Sequence, residues 1–108
     1  MTNHQTQNCE WKSQDIFYKL ESEPTFMRTS QRICEVSSKY QSEILAVDRF
    51  NNEYANAKSI LDIMPFLASN FIKSGAKEYS FSFVAFGHDS AAALKDLSGL
   101  IERKFDMG

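Results

Sequence analysis

The ten residues EYSFSFVAFG, numbers 78 to 87, constrain the fold more than any other stretch of this chain. They are rich in aromatic and branched residues, and side chains along a strand alternate between its two faces. One face carries an unbroken apolar row: Tyr79, Phe81, Phe83 and Ala85. Such a row is typical of a buried strand face, so we expect a layer of helices to cover that side of a sheet.

A strand, a helix and a two-stranded hairpin are predicted before residue 58. The alternation in SQDIFYKLE predicts a strand with Ile16 on one face and Phe17 on the other. The apolar spacing in FMRTSQRICEVSSKY then predicts a helix. Branched residues in SEILAVDRF, turn residues in NNE and a short return in YANA predict a hairpin over residues 43 to 57.

Two helices complete the pattern. The first opens at Ser59, with Asp62 three residues on in a capping-box arrangement, and Pro65 should break or kink it before PFLASNFIK. The second begins after Gly87, with Asp89 as its cap. The order is strand, helix, strand, strand, helix, strand, helix, which predicts an α+β fold with helices on one face of a mostly antiparallel sheet.

The length of the chain limits the number of domains, and its net charge limits the kinds of molecule that it could bind. A chain of 108 residues has room for one domain, and its polar first dozen predict a flexible arm over residues 1–12 before a domain over 13–108. The net charge of -2 offers no field for nucleic acid or a membrane surface. No stretch resembles a signal peptide or a membrane span. We therefore expect a soluble, cytoplasmic protein that binds other proteins.

The residue types that carry catalysis are poorly represented. Cys9 and Cys34 lie in unrelated contexts, which predicts two free thiols rather than a disulfide or a zinc site. His4 falls in the arm and His88 in a loop. The sequence shows no carboxylate pair, no nucleophile beside a base and no phosphate-binding glycine loop. We expect no enzyme activity, no metal and no cofactor.

An RNA-binding alternative comes from FSFVAF, residues 81 to 86, which resembles the core of the aromatic strand motif in RNA-recognition motifs. Tyr79 and Ser80 replace the basic residue and the glycine that should precede it. No strand is predicted after the final helix to complete that fold. Alternating phenylalanines are more often core than a stacking platform, so RNA binding is the weaker alternative.

A broader resemblance covers residues 14 to 104. The segments SKY at the end of the first helix, NAKSI at the start of the second and GHDSAAAL leading into the third resemble the histidine-containing phosphocarrier protein (HPr) family of the bacterial sugar phosphotransferase system. The resemblance implies that family's open-faced β-sandwich, in which three helices cover one side of a four-stranded antiparallel sheet in the order βαββαβα. This agrees with the element order above.

The chain departs from the family at the residue that carries its chemistry. Counting back from SKY places Phe26 at the phosphorylated histidine and Arg28 at the neighbouring arginine. A phenyl ring has no nitrogen to accept a phosphoryl group, so the resemblance implies a degenerate phosphocarrier site. Phe26 is either buried against the sheet or exposed as an interface anchor; Arg28 is either solvated or a contact for an acidic partner. The segment around Pro65 to Ser74 is also longer than in the family.

Ser59 matches a serine that, in Gram-positive members of the family, a dedicated kinase phosphorylates to control a transcriptional regulator of carbon catabolism. Ile60, Leu61 and Met64 match the apolar docking patch beside it. Ser59 has two interpretations, a helix cap or a regulatory phosphorylation site. Asp62, in place of the family's common glycine, would repel a phosphate and argues for weak modification or none. We predict a regulatory, protein-binding HPr-like domain without histidine phosphotransfer, with phosphorylation at Ser59 as the alternative.

The sheet surface opposite the helices suggests a second interaction site. Alternation places Phe17, Val84 and Phe86 on that uncovered side. Apolar side chains on such a surface usually have a cover. We expect either a homodimer or a partner chain over them, or the N-terminal arm with Trp11 folded across them.

Overall fold

The computed structural model describes residues 11–19 and 26–102, and within these ranges the elements follow the predicted order. They are β1 (Trp11–Lys19), α1 (Phe26–Ser37), β2 (Glu43–Asp48), β3 (Glu53–Asn56), α2 (Ile60–Lys73), β4 (Glu78–Phe86) and α3 (Ser90–Glu102). Residues 1–10 of the predicted arm lie outside the described residues. Trp11 and Lys12, which the prediction also assigned to the arm, are the first residues of β1.

The strands form one antiparallel sheet in the order β1-β4-β2-β3. β4 is central and pairs with β1 from Trp11 opposite Phe86 to Lys19 opposite Glu78. On its other side β4 pairs with β2, beginning at Glu43 opposite Phe86. α2 and α3 both pack on β4, and α1 packs on the other two helices. The predicted α+β architecture, an open-faced sandwich, is confirmed.

The core lies between the helices and the face of β4 that the sequence predicted to be buried. Tyr79, Phe83 and Ala85 are fully buried, and Phe81 is 5% exposed. The helices meet this row with a set of fully buried aliphatic side chains: Ile33, Ile63, Leu67 and Leu97. Burying one such side chain stabilises the fold by roughly 1.5–3 kcal/mol. Because the rings of Phe81 and Phe83 are enclosed, they are not available to stack on RNA bases.

α2 runs without interruption through Pro65, so of the break or kink predicted at this residue the break is wrong. Pro65 is the sixth residue of the helix, and its missing N–H removes the single hydrogen bond to the carbonyl of Leu61. Leu61 is 80% exposed, which leaves that carbonyl on the side of the helix open to water. Phe66 and Leu67 follow immediately and are buried at 5% and 0% exposure, so core packing holds the next turn in place.

Asp89 directly precedes α3, as predicted, and its backbone carbonyl accepts a hydrogen bond from Ala93 N at 3.0 Å. Its carboxylate reaches further, accepting bonds from the Ser42 hydroxyl and from the backbone N–H groups of Gln41 and Ser42, each of the latter at 2.9 Å. These bonds lower the pKa of Asp89 to about 2, the Ser42 hydroxyl contributing most. At Gly87, φ is 141° and a Cβ would lie 2.9 Å from Ser42 Cα, so this close junction requires glycine.

Candidate functional site

Phe26 is the first residue of α1 and is half-buried against the core. Its ring centroid lies 5.7 Å from that of Phe71 at an interplanar angle of 67°, and 6.4 Å from that of Tyr79. Phe71 and Tyr79 are in turn 6.2 Å apart in an edge-to-face arrangement. These three rings, which we call the aromatic triad, give Phe26 the geometry of a packing residue. Of the two sequence interpretations, the structure favours burial against the core.

Arg28 lies two residues further along α1, and its side chain is exposed. Among the residues that the structure describes, no carboxylate forms an ion pair with it. A solvated guanidinium at a helix end contributes little to stability but remains available to an acidic group on another molecule. Arg28 therefore presents a solvent-exposed cation in the first turn of α1, two residues after Phe26.

Phe71 was not among the residues that the sequence singled out. It belongs to the segment from Pro65 to Ser74, the part of α2 predicted to be longer than in the HPr family. The structure gives this segment a function in packing, because Phe71 holds Phe26 and its neighbour Asn70 is 3% exposed. In the sequence, only the apolar spacing of α2 indicated Phe71. Its partner Phe26 lies 45 positions earlier in the chain, and no local pattern predicts a contact over that separation.

Asn70 connects α2 to the end of the sheet. Its side-chain nitrogen donates to Asp48 Oδ2 at 2.8 Å and to the Ser80 carbonyl at 2.9 Å, while its Oδ1 accepts from Ser80 N at 2.8 Å. The β2–β4 pairing extends only to Val47 opposite Ser82, so Asn70 takes the place that a residue of a longer β2 would occupy opposite Ser80. The side chain thus continues the ladder where β2 turns away.

Asp48 is 1% exposed and completes this network. Its Oδ1 accepts from Asn51 N at 3.1 Å, and its Oδ2 also accepts from Asn51 Nδ2 at 2.8 Å. Burial alone raises the pKa of Asp48, but the hydrogen bonds from Asn51 and Asn70 outweigh burial and leave the pKa below its ordinary value. The carboxylate is therefore a structural anion that fixes the β2–β3 turn to α2.

Ser59 occupies the N-cap position of α2, with φ of -115° and ψ of 115°, but its hydroxyl makes no cap hydrogen bond. Its carbonyl begins the helix by accepting from Asp62 N at 3.1 Å and Ile63 N at 2.9 Å. The predicted capping box does not form: Ser59 N donates to the Asn56 carbonyl at 3.1 Å, and the Asp62 carboxylate accepts from Asn56 N at 3.4 Å. Ser59 is half-buried, and its hydroxyl is not engaged as a cap.

The predicted docking patch beside Ser59 is only partly open. Leu61 is 80% exposed, whereas Ile60 and Met64 are half-buried. A leucine this exposed on the first turn of a helix, next to a serine hydroxyl that makes no cap hydrogen bond, forms a small apolar contact surface. Lys58, on the other side of Ser59, donates from Nζ to the Tyr40 carbonyl at 2.7 Å, which fixes this end of α2 to the turn after α1.

The three residues of the second predicted surface, Phe17, Val84 and Phe86, lie on the uncovered side of the sheet as expected, but Phe17 pairs with Ser80, at the other end of β4 from Phe86. Phe17 is 68% exposed, Phe86 is 40% exposed and Val84 is half-buried. Trp11 adds to it, because it pairs with Phe86 in the sheet and its ring centroid lies 6.4 Å away. Trp11 is 58% exposed, so this side chain is part of the apolar surface rather than a cover over it.

Comparison with solved structures identifies the architecture. Over 88% of this chain and 98% of the other, the structure matches HPr-C-His from Thermoanaerobacter tengcongensis with a TM-score of 0.57 and 24% sequence identity. It also matches the histidine-containing phosphocarrier protein of Mycoplasma over 82% and 93% of the two chains, with a TM-score of 0.54 and 17% identity. The chain has an HPr-like fold. Identities of this size establish the fold alone.

Two other comparisons found no similar protein. A scan against protein-family models found no match, and a search of curated proteins found none either. Within residues 11–19 and 26–102, no group of three or more His, Cys, Asp or Glu side chains is arranged to hold a metal ion. In the same part of the chain, no helix is long and apolar enough to cross a membrane.

Proposed function

We propose that this protein is a regulatory, protein-binding relative of the phosphocarriers of the bacterial sugar phosphotransferase system, working in the cytoplasm without histidine phosphotransfer. The HPr-like fold supports the relationship. The observation that carries the loss of phosphotransfer is the aromatic triad, in which Phe26 packs on Phe71 and Tyr79 where the acceptor histidine is expected. Arg28, two residues along α1, is exposed and has no ion-pair partner among the described residues, which supports a role in binding an acidic group on a partner protein.

Phosphoryl transfer provides the direct test. The purified protein is incubated with enzyme I and labelled phosphoenolpyruvate, with a conventional HPr as positive control. We expect no acid-labile label on this protein, because a phenyl ring has no lone pair to attack phosphorus. Acid-labile label at any residue would contradict the proposal. Binding of candidate partners is then compared between the native protein and Arg28→Glu, and a loss of affinity in the variant would locate the contact.

A second candidate function is regulation through phosphorylation of Ser59. The observation in its favour is the hydroxyl, which makes no cap hydrogen bond at the N-terminus of a helix of 14 residues. A phosphate there would meet free backbone amides and the positive end of the helix dipole. The carboxylate of Asp62 in the first turn opposes it, so we expect an HPr-type serine kinase to act slowly or not at all.

Two measurements separate a switch from a cap. Mass spectrometry after incubation with an HPr-type kinase and ATP, with Ser59→Ala as the control, shows whether the residue is modified; stoichiometric phosphorylation would place the second candidate first. Urea unfolding of Ser59→Ala measures the cap. Replacing a serine cap that bonds a helix amide by alanine lowers the free energy of unfolding by about 1 kcal/mol. Since the Ser59 hydroxyl makes no cap hydrogen bond, we expect Ser59→Ala to lower it by less than about 0.5 kcal/mol.

A further inference from the structure

Two serines leave a depression in the sheet surface that faces away from the helices. Ser80 and Ser82 of β4 lie on this surface, because the aromatic residues that alternate with them are buried in the core. β4 lies between β1 and β2, and both neighbouring strands carry larger side chains beside the two serines. The result is a depression of about 320 Å³, which has the serines in its floor and which we call the serine pocket.

The two sides of the serine pocket carry opposite charges. Asp15 and Phe17 of β1 lie opposite the two serines and form one side. Arg49 and Phe50, which follow β2, belong to the other side. Each side therefore presents one charged group and one phenyl ring to the space between them.

Both charges are available to a ligand. Asp15 Oδ1 accepts a hydrogen bond from the Ser82 hydroxyl at 2.6 Å, which holds the carboxylate against the floor. Among the described residues, neither Asp15 nor Arg49 has an ion-pair partner, and nothing bonds to Asp15 Oδ2 or to the Arg49 guanidinium. An anion and a cation that share a depression without pairing are suited to the two ends of a zwitterion.

The two phenyl rings are also available. Phe50 is 94% exposed and Phe17 is 68% exposed, so the core uses little of either ring. The turn that holds Phe50 is fixed, because Asp48 accepts hydrogen bonds from Asn51 N at 3.1 Å and from Asn51 Nδ2 at 2.8 Å. An exposed ring on a turn held in this way loses little freedom when it contacts a ligand.

The dimensions of the serine pocket favour a small ligand. Its two sides stand on strands about 10 Å apart, since neighbouring strands are separated by about 4.8 Å. Ser80 and Ser82 span about 7 Å, and the residues that follow on this face of β4 in either direction are the larger Glu78 and Val84. A volume of about 320 Å³ is near the lower limit of the roughly 300–1,000 Å³ found for small-molecule sites. This space suits one ring with its polar substituents better than an extended peptide.

We propose that the serine pocket binds a free aromatic α-amino acid. The ammonium group donates to Asp15, the carboxylate accepts from the Arg49 guanidinium, and the ring packs between Phe17 and Phe50. The Ser80 hydroxyl, which has no partner among the described residues, is a further hydrogen-bonding group in the floor. Such a ligand meets each unpaired group of the pocket with its chemical complement. This binding does not depend on the function proposed above.

Amide chemical shifts measured during a titration with L-phenylalanine test the site. We expect saturable changes centred on Asp15, Phe17, Ser82 and Arg49, with a dissociation constant on the order of 1 mM because the ligand is small and the pocket is open. Phenethylamine lacks the carboxylate and 3-phenylpropionate lacks the ammonium group, so each should bind at least about fivefold more weakly. L-alanine lacks the ring and should cause no saturable change up to about 20 mM.

Variants identify each contact through its ligand selectivity. Arg49→Gln should weaken the binding of L-phenylalanine at least about fivefold and leave phenethylamine unchanged, whereas Asp15→Asn should weaken L-phenylalanine and leave 3-phenylpropionate unchanged. Phe50→Ala should weaken all three ring-bearing ligands without changing the far-ultraviolet circular dichroism, because this ring is almost fully exposed. Lys95→Gln and Ile72→Ala, at exposed positions of α3 and α2, are the matched controls and should bind L-phenylalanine as the native protein does.

Three results would overturn the proposal. One is the absence of saturable shifts up to about 20 mM L-phenylalanine, since that concentration exceeds the expected dissociation constant many times. Another is equal affinity for the three ring-bearing ligands, because neither charge would then contribute to recognition. The third is a set of shifts at the same residues that depends on protein concentration without ligand, because a second copy would then cover the pocket.

Discussion

Replacing Asn70 by alanine removes the side chain that joins α2, the β2–β3 turn and β4. Three hydrogen bonds disappear: two with the backbone of Ser80 and one to the Asp48 carboxylate. A net hydrogen bond between neutral groups is worth about 1 kcal/mol and one to a charged group about 2 kcal/mol. Alanine returns about 0.5 kcal/mol through its better helix propensity. We therefore expect the free energy of unfolding to fall by about 3–4 kcal/mol.

That loss is large for a single domain whose total stability is typically 5–15 kcal/mol. Urea unfolding followed by far-ultraviolet circular dichroism measures it, with a lower midpoint and an unchanged slope as the expected result. Ile72→Ala is the matched control, because Ile72 lies in the same helical turn and is 67% exposed; its effect should stay within about 0.5 kcal/mol. A loss below about 1 kcal/mol for Asn70→Ala would refute the strand-like role of this amide.

Two further perturbations test the packing of the aromatic triad and the junction at α3. Phe71→Ala should lower the free energy of unfolding by about 2–3 kcal/mol in the same urea assay, because it removes a half-buried ring from Phe26 and Tyr79; a loss under about 1 kcal/mol would contradict the aromatic triad. Asp89 has a folded pKa of about 2 against an ordinary 3.8, so its contribution to stability is present above about pH 4 and is lost as the pH falls towards 2. Urea midpoints between pH 2 and 6 should therefore fall less steeply for Asp89→Ala than for the native protein, and parallel curves would exclude this carboxylate as a source of acid sensitivity.

The architecture was predictable because its signals are local. Alternation along residues 78–87 separated the buried row, which includes Phe81 and Phe83, from the uncovered side with Val84 and Phe86, and the structure confirms both faces. The hairpin and the helices follow from turn residues and apolar spacing, which depend on a few neighbouring positions. The resemblance in SKY, NAKSI and GHDSAAAL then indicated the HPr-like fold, which structural comparison confirms.

The exceptions lie where a distant contact outweighs a local preference. Pro65 predicts a break in isolation, but buried Phe66 and Leu67 keep α2 continuous. The spacing of Ser59 and Asp62 predicts a capping box, but the turn at Asn56 takes both the Ser59 amide and the Asp62 carboxylate. Spacing gives candidates for a hydrogen bond, and the path of the preceding turn decides which partner is reached.

The sequence by itself determined that residue 26 is a phenylalanine, and this excludes a phosphohistidine there whatever the fold, because nucleophilic attack needs a lone pair. It also determined the alternation that produces an uncovered apolar surface. Only the tertiary structure decided that Phe26 packs against Phe71 and Tyr79 and that Asn70 continues the sheet beside Ser80. The physical reason is that backbone periodicity is set over a few residues, whereas side-chain contacts between elements depend on how complete helices and strands are placed against one another.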